Sequence, residues 1–438
     1  MSPQEIATTV RNSLPSGGLF AGLNWRTSIS PFPLDPGLAK ELDTLGRVLL
    51  QFYRAVNLLY RKSVEGKQPE WIARWLELGK PPDVVALQRS PAFKNDVPRV
   101  IRPDILLTES GFCITELDSV PGGIGLTAWL NEVYSGLDGS GQIVGGKDGM
   151  VTGFDSIFGE SKSVQIVVSD EAATYRPEME WMAARNPRFQ VRDSKFGDFA
   201  NGDAVYRFFE LFDIANVPNA KKLFTLAAEG RVRLTPPPKT IFEEKMLFAL
   251  LWNWNLRDFW RQALGENFFA RLKRAVPYTW LLDPAPLPPH AAFPGLNLTD
   301  WRQLKALSQK ERELILKISG YSERAWGARG VFLGSDLSHA DWSAAVDQAL
   351  AGFEKSPFVL QRYERPKLVE ASWFDFEKND AVSMRGRVRL CPYYFVSGEG
   401  DGARPNPGGI LATIVPSDKK IIHGMTEAVL APCFVSAQ

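Results

Sequence analysis

The fold of this sequence is decided by residues 102–127, which read R-P-D-I-L-L-T-E-S-G-F-C-I-T-E-L-D-S-V-P-G-G-I-G-L-T. The apolar run 100–108 is typical of a strand, although Pro103 interrupts it. Glu109-Ser110-Gly111 supplies a turn, and residues 112–117 alternate in the manner of a second strand. The segment therefore predicts a β-hairpin with charged groups at the ends of both strands.

Four of these charged groups form a candidate site: Arg102, Asp104, Glu116 and Asp118. Residues two apart on a strand share a face, so Glu116 and Asp118 should point the same way, and Asp104 can approach them across the turn. A cluster of carboxylates is costly without a cation, and oxygen ligands beside an arginine suit one or two Mg²⁺ ions that carry nucleotide phosphates. The same letters also fit a solvated polar face with ordinary salt bridges.

A glycine-rich turn, residues 119–127, follows the hairpin directly and precedes a helix that we expect to begin near Ala128. Glycines let the backbone approach a ligand closely, and a helix N-terminus favours anions. A phosphate or a carboxylate could dock there. The alternative is a tight strand-to-helix connection, because the turn lacks the complete G-x-G-x-x-G pattern.

Outward from the hairpin, the preceding sequence is helical and the following sequence alternates strand and helix. Apolar residues at helical spacing from Pro36 to Trp75 predict an amphipathic helix and a second helix over 70–78. Strand and helix then alternate: strands at 164–168, 189–192, 204–209 and 232–234, and helices at 171–185 and 220–229. This alternation predicts a small parallel sheet that ends at the prolines 236–238.

Lys317 ends a predicted strand that begins at Leu314. A lysine in an apolar strand needs an anionic partner, and phosphate is a natural one. The glycines and arginine that follow, Gly327, Arg329 and Gly330, could close over a triphosphate as a lid. The alternative is an exposed loop whose lysine reaches solvent.

Two further strands carry residues suited to a nucleotide. In F-V-L-Q-R-Y-E, residues 358–364, the backbone beside Gln361 could bond an adenine ring, with Leu360 and Tyr363 covering its faces. The same residues are equally typical of an ordinary core strand. Three arginines, Arg385, Arg387 and Arg389, alternate along one strand and could clamp a phosphate or carboxylate, or could line an exposed sheet face.

Composition excludes several classes of protein. The 438 residues include 51 basic and 50 acidic ones, a net charge of +1 that gives no global field for nucleic acid. The three cysteines and three histidines show no metal-binding spacing, so any metal should be bound by oxygen. Neither a leader segment nor a membrane span is expected. We therefore expect a cytoplasmic protein that binds neither nucleic acid nor membrane.

The order of these motifs resembles that of the glutathionylspermidine synthase-type, circularly permuted ATP-grasp family. In that family, a strand with the pattern Arg-x-Asp is followed by the pattern Glu-x-Asn. Arg102 and Asp104 match the first pattern, and Glu116 matches the first residue of the second. The apolar residues from Glu243 to Trp254 predict a helix. The segment P-P-P-K-T-I-F-E-E-K-M-L-F-A-L-L-W, residues 236–252, resembles the family's Asn-Lys helix, with its lysine at Lys245. The segments around Lys317, Gln361 and N-P-G-G-I-L-A-T-I, residues 406–414, resemble its later strands. The first hundred residues do not match the amidase domain of bifunctional members.

This resemblance implies a mixed α+β and α/β fold of the ATP-grasp type. It implies four segments: an N-terminal helical region (1–97), a permuted ATP-grasp segment with the magnesium hairpin (98–160), a small parallel pre-ATP-grasp lobe (161–235) and a nucleotide-binding region (236–438).

The implied activity is an ATP-dependent ligase that joins a small acid or peptide to an amine through an acyl phosphate. Mg²⁺ would be held by Asp104, Glu116 and Asp118. The nucleotide would be bound by Lys245, Lys317, Gly327, Gly330, Gln361 and Tyr363. Arg102 or Arg389 would stabilise the transferring phosphoryl group. The oligomeric state stays open.

The sequence departs from the family pattern at three positions. Asp118 occupies a position where the family has asparagine, Ile318 one where it has proline, and Glu244 one where it has asparagine. These departures support an alternative, a catalytically silent ATP-grasp-like protein that binds nucleotide or acts as a scaffold.

Overall fold

The computed structural model describes residues 1–21, 25–137, 142–325, 329–422 and 427–436. The helices are α1 Pro3–Asn12, α2 Pro36–Val64, α3 Glu70–Glu77, α4 Pro82–Arg89, α5 Ile124–Ser135, α6 Gly149–Ser156, α7 Arg176–Ala183, α8 Ala220–Ala228, α9 Met246–Trp252, α10 Arg257–Ala275 and α11 His339–Ala351.

The strands are β1 Arg26–Thr27, β2 Phe32–Leu34, β3 Val100–Thr108, β4 Gly111–Asp118, β5 Gln142–Ile143, β6 Val164–Val168, β7 Phe189–Arg192, β8 Ala204–Phe208, β9 Arg233–Thr235, β10 Thr279–Leu281, β11 Leu314–Ile318, β12 Val331–Leu333, β13 Phe358–Arg362, β14 Leu368–Asp375, β15 Asp380–Ser397, β16 Arg404–Pro416 and β17 Val429–Val435.

The chain divides into two compact units. Unit 1 comprises residues 1–53, 90–238 and 366–438, and unit 2 comprises residues 54–89 and 239–365. These units and the four segments expected from the sequence divide the chain differently, and the four segments stay a prediction. Within the described residues, no helix combines the length and the apolar character needed to cross a bilayer.

The largest sheet of unit 1 joins strands from both ends of the chain. Its order is β1-β17-β16-β15-β3-β4, with β14 paired to β15 and with β2 and β5 paired to β17. β15 is mostly exposed near its start and is buried continuously from Leu390 to Val396. The predicted hairpin is confirmed, because β3 and β4 pair antiparallel through the turn at Glu109–Ser110.

The predicted parallel sheet is also confirmed in unit 1. Its order is β7-β6-β8-β9, and all its pairs run parallel. Every residue of β6 and β8 is buried, as expected for parallel strands that are covered on both faces. The helix expected over 171–185 is shorter. A 3₁₀ turn over Ala173–Tyr175 precedes α7, and Pro177 lies in the first turn of the helix.

Unit 2 contains an antiparallel sheet of order β10-β13-β11-β12. One face of this sheet packs on an apolar cluster that includes Trp280, Leu316, Trp342 and Leu360. The helix expected from Glu243 begins only at Met246, because a 3₁₀ turn ends at Glu243 and Glu244 is extended. Tertiary hydrogen bonds fix this boundary, since the Lys245 N–H donates to the Ser319 carbonyl at 2.8 Å.

Arg207 anchors the segment that follows the last strand of the parallel sheet. This arginine of β8 is fully buried, and its guanidinium donates to the carbonyl oxygens of Pro236, Pro237 and Phe209 at 3.1, 3.0 and 2.5 Å. Charge-assisted bonds to buried carbonyls are stronger than neutral ones. Arg207 thereby fixes the polyproline connection after β9 against the sheet.

We predict that Arg207→Met lowers the free energy of unfolding by roughly 3 kcal/mol or more, because buried carbonyls lose their donors. Urea unfolding followed by circular dichroism measures the change. Arg231→Met, which removes an exposed arginine of the same lobe, is the control and should change stability by less than about 0.5 kcal/mol. Equal effects of the two variants would contradict the anchoring role of Arg207.

Candidate functional site

The hairpin brings its charged residues together as the spacing predicts. In the register of β3 and β4, Asp104 lies opposite Glu116 and Arg102 lies opposite Asp118. The Arg102 guanidinium bridges two carboxylates: its Nε lies 3.1 Å from Asp104 Oδ1 and its Nη2 lies 3.0 Å from Asp118 Oδ2. We call Arg102, Asp104, Glu116, Asp118 and Arg389 the hairpin cluster.

Arg389 joins this cluster from β15, the neighbour of β3. Its Nη1 lies 3.1 Å from Asp104 Oδ2, and the Cys391 thiol lies 3.5 Å from Asp104 Oδ1. Asp104 is buried and lies between these two guanidinium groups. Burial, followed by the charge of Asp104, raises the pKa of the Cys391 thiol to about 12, so the thiol stays protonated.

The cluster contains three carboxylates and two guanidinium groups, which leaves one net negative charge. Burial raises the pKa of Asp118, an effect that Arg102 opposes. Burial alone would lower the pKa of Arg102, but the negative charges of Asp104 and Asp118 raise this pKa well above its usual value. An added cation would offset the remaining charge, and carboxylate oxygens are the donors that Mg²⁺ prefers. The donor chemistry therefore fits magnesium.

The three carboxylates are not arranged as a ready metal site in this structure. In the part of the chain that is described, no three histidine, cysteine, aspartate or glutamate side chains are grouped so as to hold a metal ion. The arginines take the place of a cation beside Asp104 and Asp118. The assignment of Asp104, Glu116 and Asp118 as magnesium ligands stays a prediction.

The glycine-rich turn already holds a carboxylate of the protein itself. Glu178 of α7 accepts hydrogen bonds from the N–H groups of Gly123 at 2.7 Å and Leu126 at 3.1 Å, at the start of α5. Gly123 has a φ of +85°, and a Cβ there would lie 2.6 Å from the Tyr393 hydroxyl. The Gly122 carbonyl accepts from Arg102 at 3.1 Å and from Tyr393 at 2.8 Å. The structure thus favours the tight connection over an external anion site.

The three alternating arginines of β15 do not form one clamp. Arg389 contacts Asp104, whereas the Arg387 guanidinium donates to the carbonyl oxygens of Ser417 and Lys419. Arg385 is exposed. Only Arg389 therefore belongs to the hairpin cluster.

Unit 2 carries the predicted lysine on a buried polar face. Lys317 of β11 donates to Gln361 Oε1 of β13 at 2.9 Å, and Gln361 Nε2 donates to Thr279 Oγ1 of β10 at 3.1 Å. All three residues are buried. Leu316 and Leu360 lie in the apolar cluster, so by alternation Lys317 and Gln361 occupy the opposite face of the sheet. The structure joins two of the predicted nucleotide ligands in one chain of hydrogen bonds.

Lys245 lies in the same unit, at the start of α9. Its backbone N–H bonds to Ser319, the residue that follows β11, and its Nζ donates to the Ala325 carbonyl at 3.1 Å. Lys245 is thus hydrogen-bonded to the residue that follows β11, the strand that carries Lys317.

Several of the groups predicted to contact an adenine ring are already engaged within the protein. β13 is paired on both sides, with β10 and with β11, and the Tyr363 N–H bonds to the Glu313 carbonyl at 3.0 Å. Leu360 lies in the apolar core instead of over a ligand. Gly330 permits close packing, since a Cβ there would lie 2.7 Å from Ile318 Cδ1 and from the Arg324 carbonyl. Gly327 lies outside the described residues.

Sequence reasoning missed two residues that organise these clusters, Glu178 and Lys80, and it did not give Glu244 a partner. Lys80 Nζ lies 2.6 Å from Glu244 Oε1, and both side chains are almost completely buried. Glu178 and Lys80 are single charged residues without a motif around them, and the partners are far apart in sequence. Only the fold brings them together.

Comparison with known proteins gives a fold but no family membership. No protein-family model matches the sequence, nor does any curated protein. A glutathione synthetase-like effector from Globodera pallida, solved in its apo form, matches with a TM-score of 0.54 and 11% identity, and the match covers 100% of this chain and 98% of that chain. The chain therefore shares the overall mixed α/β fold of that protein.

A second solved structure is less similar. A protein named as a gamma-glutamylcysteine synthetase from Methylobacillus flagellatus matches with a TM-score of 0.41 and 11% identity, over 86% of this chain and 87% of that one. A score below 0.5 supports no conclusion about the fold. The circular permutation and the glutathionylspermidine synthase-type subfamily expected from the motifs stay predictions.

Glu178 makes stability depend on pH. Its pKa is raised from 4.5 to about 7, chiefly by burial, while the N–H groups of Leu126, Gly123 and Gly125 oppose the shift. The folded protein keeps this proton to a higher pH than the unfolded chain does. The group's contribution to stability is therefore full below pH 4.5 and is lost as the pH rises through about 7.

We predict that the wild type loses about 2 to 3 kcal/mol more stability between about pH 5 and about pH 8 than Glu178→Gln does, at about 1.4 kcal/mol per pKa unit. Urea unfolding of both proteins at the two pH values measures the difference. Glu180→Gln, at an exposed position of α7, should follow the wild type. Parallel pH profiles for the wild type and Glu178→Gln would be evidence against the raised pKa.

Proposed function

We propose that this protein is an ATP-dependent carboxylate–amine ligase that acts through an acyl phosphate on a small acid or peptide and an amine. The observation that carries the proposal is the register of the hairpin, which sets Asp104 opposite Glu116 and Arg102 opposite Asp118. The fold shared with a glutathione synthetase-like effector supports it.

The reaction has two steps. A carboxylate oxygen of the acid attacks the γ-phosphorus of ATP, and the bond from that phosphorus to the bridging oxygen breaks, so ADP leaves and an acyl phosphate forms. The amine nitrogen then attacks the acyl carbon, phosphate leaves with the electrons of the carbon–oxygen bond, and the nitrogen loses a proton. Catalysis of such a transfer depends mainly on positioning and on neutralising charge.

The hairpin cluster would supply the charges for the first step. Arg102 and Arg389 would stabilise the negative oxygens of the transferring phosphoryl group. Asp104, Glu116 and Asp118 would hold Mg²⁺, which when bound neutralises phosphate charge. Asp118 provides a carboxylate in place of an asparagine amide, so it keeps an oxygen donor and adds negative charge.

Unit 2 would bind the nucleotide. Lys245 and Lys317 would contact phosphates, and Gln361, Tyr363, Gly327 and Gly330 would contribute to the remaining contacts. The buried position of Lys317 supports this role, because a lysine in a site of low dielectric interacts strongly with a phosphate.

A silent nucleotide-binding protein is the second candidate, and one observation favours it. Asp104 already bonds to Arg102, Arg389 and Cys391, so its charge is balanced within the chain. Such a protein would bind ATP without transferring its phosphate.

We predict that Mg-ATP raises the thermal unfolding midpoint of the wild type and that Lys317→Met abolishes the shift. At about 100 times its dissociation constant, a ligand stabilises the native state by about 2.7 kcal/mol. Differential scanning fluorimetry measures the midpoints. Lys310→Met, at an exposed lysine of the same unit, should retain the full shift. A wild type that shows no shift would exclude both candidates.

We predict that Asp104→Asn and Glu116→Gln each reduce ADP release at least about 100-fold, because the transferring phosphoryl group loses charge stabilisation. The assay is substrate-dependent ADP release with amino acids, peptides and polyamines as acids and amines. Glu109→Gln, at the exposed hairpin turn, is the control and should keep wild-type turnover. ATP binding without ADP release from any pair would favour the silent protein, and unchanged turnover in both variants would overturn the site assignment.

A further inference from the structure

Unit 2 contains an ion pair that the proposed chemistry does not use. Lys80 Nζ lies 2.6 Å from Glu244 Oε1, and each side chain is only 1% exposed. Lys80 precedes α4, whereas Glu244 lies between a 3₁₀ turn and α9. The pair therefore connects the helical segment 54–89 to the segment that carries Lys245 and Lys317.

The carboxylate of Glu244 extends this connection to the backbone around Lys245. Its second oxygen accepts a hydrogen bond from the Ser319 hydroxyl, which in turn accepts from the Met246 N–H at 2.9 Å. The Ser319 carbonyl accepts from the Lys245 N–H at 2.8 Å. One buried carboxylate is thus linked to the start of α9 and to the residue that ends β11.

Two glycines leave these residues little freedom. A Cβ on Gly320 would lie 2.4 Å from the Glu243 carbonyl and 2.8 Å from Glu244 Cδ. Gly79, next to Lys80, has a φ of +70°, and a Cβ there would lie 1.9 Å from the Lys355 carbonyl. Close backbone contacts therefore hold both members of the pair in place.

Stability alone does not explain such a pair. The cost of removing two charges from water offsets most of their attraction, and well-packed apolar residues of similar volume often stabilise a protein equally well. The pair does provide a fixed orientation for the groups bonded to it. Those groups are the backbone of Lys245 and the end of the strand that carries Lys317.

We propose that Lys80 and Glu244 are positioning residues that hold Lys245 and the end of β11 in the geometry that binds the nucleotide phosphates. This inference rests on the proposed function. Glu244, which stands where the resembled motif has asparagine, then adds no net charge beside Lys245, because Lys80 neutralises it. The departure at Glu244 is compensated within unit 2.

The test is the double variant Lys80→Met/Glu244→Met, studied in the full chain. Removing both charges leaves neither one buried alone, so the thermal midpoint should stay close to that of the wild type. The dissociation constant of Mg-ATP, measured by titration calorimetry, should rise by roughly tenfold or more, because the phosphate-binding groups are no longer held in place. Arg74→Met/Glu354→Met, at an exposed ion pair of unit 2, should change neither quantity.

A second variant tests the same connection without altering a charge. Ser319→Ala removes the hydroxyl between Glu244 and the Met246 N–H, and it should also weaken Mg-ATP binding. This variant decides the matter if the double variant does not fold. Wild-type affinity in a folded double variant, or in Ser319→Ala if the double variant does not fold, would overturn the positioning role. A wild type that binds no Mg-ATP would overturn the proposed function and this inference together, so the two failures are distinguishable.

Discussion

Arg102 is the side chain on which the hairpin cluster depends. Its guanidinium contacts Asp104, Asp118 and the Gly122 carbonyl, and so it links β3, β4 and the turn that begins α5. A planar group with several donors in fixed directions suits this task, whereas a lysine would offer one compact charge. The neighbouring turn depends on a second buried contact, because Glu178 satisfies the N–H groups at the start of α5. Unit 1 thus fixes its polar residues by ion pairs and hydrogen bonds between segments that are distant in sequence.

Much of the fold could be predicted because local patterns determine it. The alternation in 112–117 and the apolar runs at 164–168 and 204–209 reflect which faces are buried, and the structure contains strands there. Helix boundaries were less predictable. The helix at Lys245 begins later than its apolar pattern indicates, because Glu244 and Lys245 form tertiary bonds to Lys80 and Ser319 in place of helical ones. Such bonds outweigh local propensity and leave no trace in spacing.

In the candidate site, too, local patterns predict some features, whereas others depend on tertiary contacts. The two-residue spacing of Glu116 and Asp118 predicts that they share a face, and the register agrees. The alternation of Arg385, Arg387 and Arg389 predicts a shared face equally well, yet only Arg389 reaches Asp104, since Arg387 bonds to the turn at Ser417 and Lys419. Periodicity determines the direction of a side chain, but the partner depends on the neighbouring strand. For the glycine-rich turn, no pattern could show that the bound carboxylate is Glu178.

The charges of the hairpin cluster bear on whether the protein is a ligase or a silent relative. Asp104 and Asp118 are each paired with an arginine within the chain. Under the proposed function, a nucleotide with its cation would bring both kinds of charge: phosphates that would pair with the arginines and a cation that would pair with the carboxylates. The internal pairs therefore do not exclude a ligand, because its phosphates and its cation would each meet a group of opposite charge. One net negative charge remains on the cluster when it is unbound, and this charge favours the cation over a further anion.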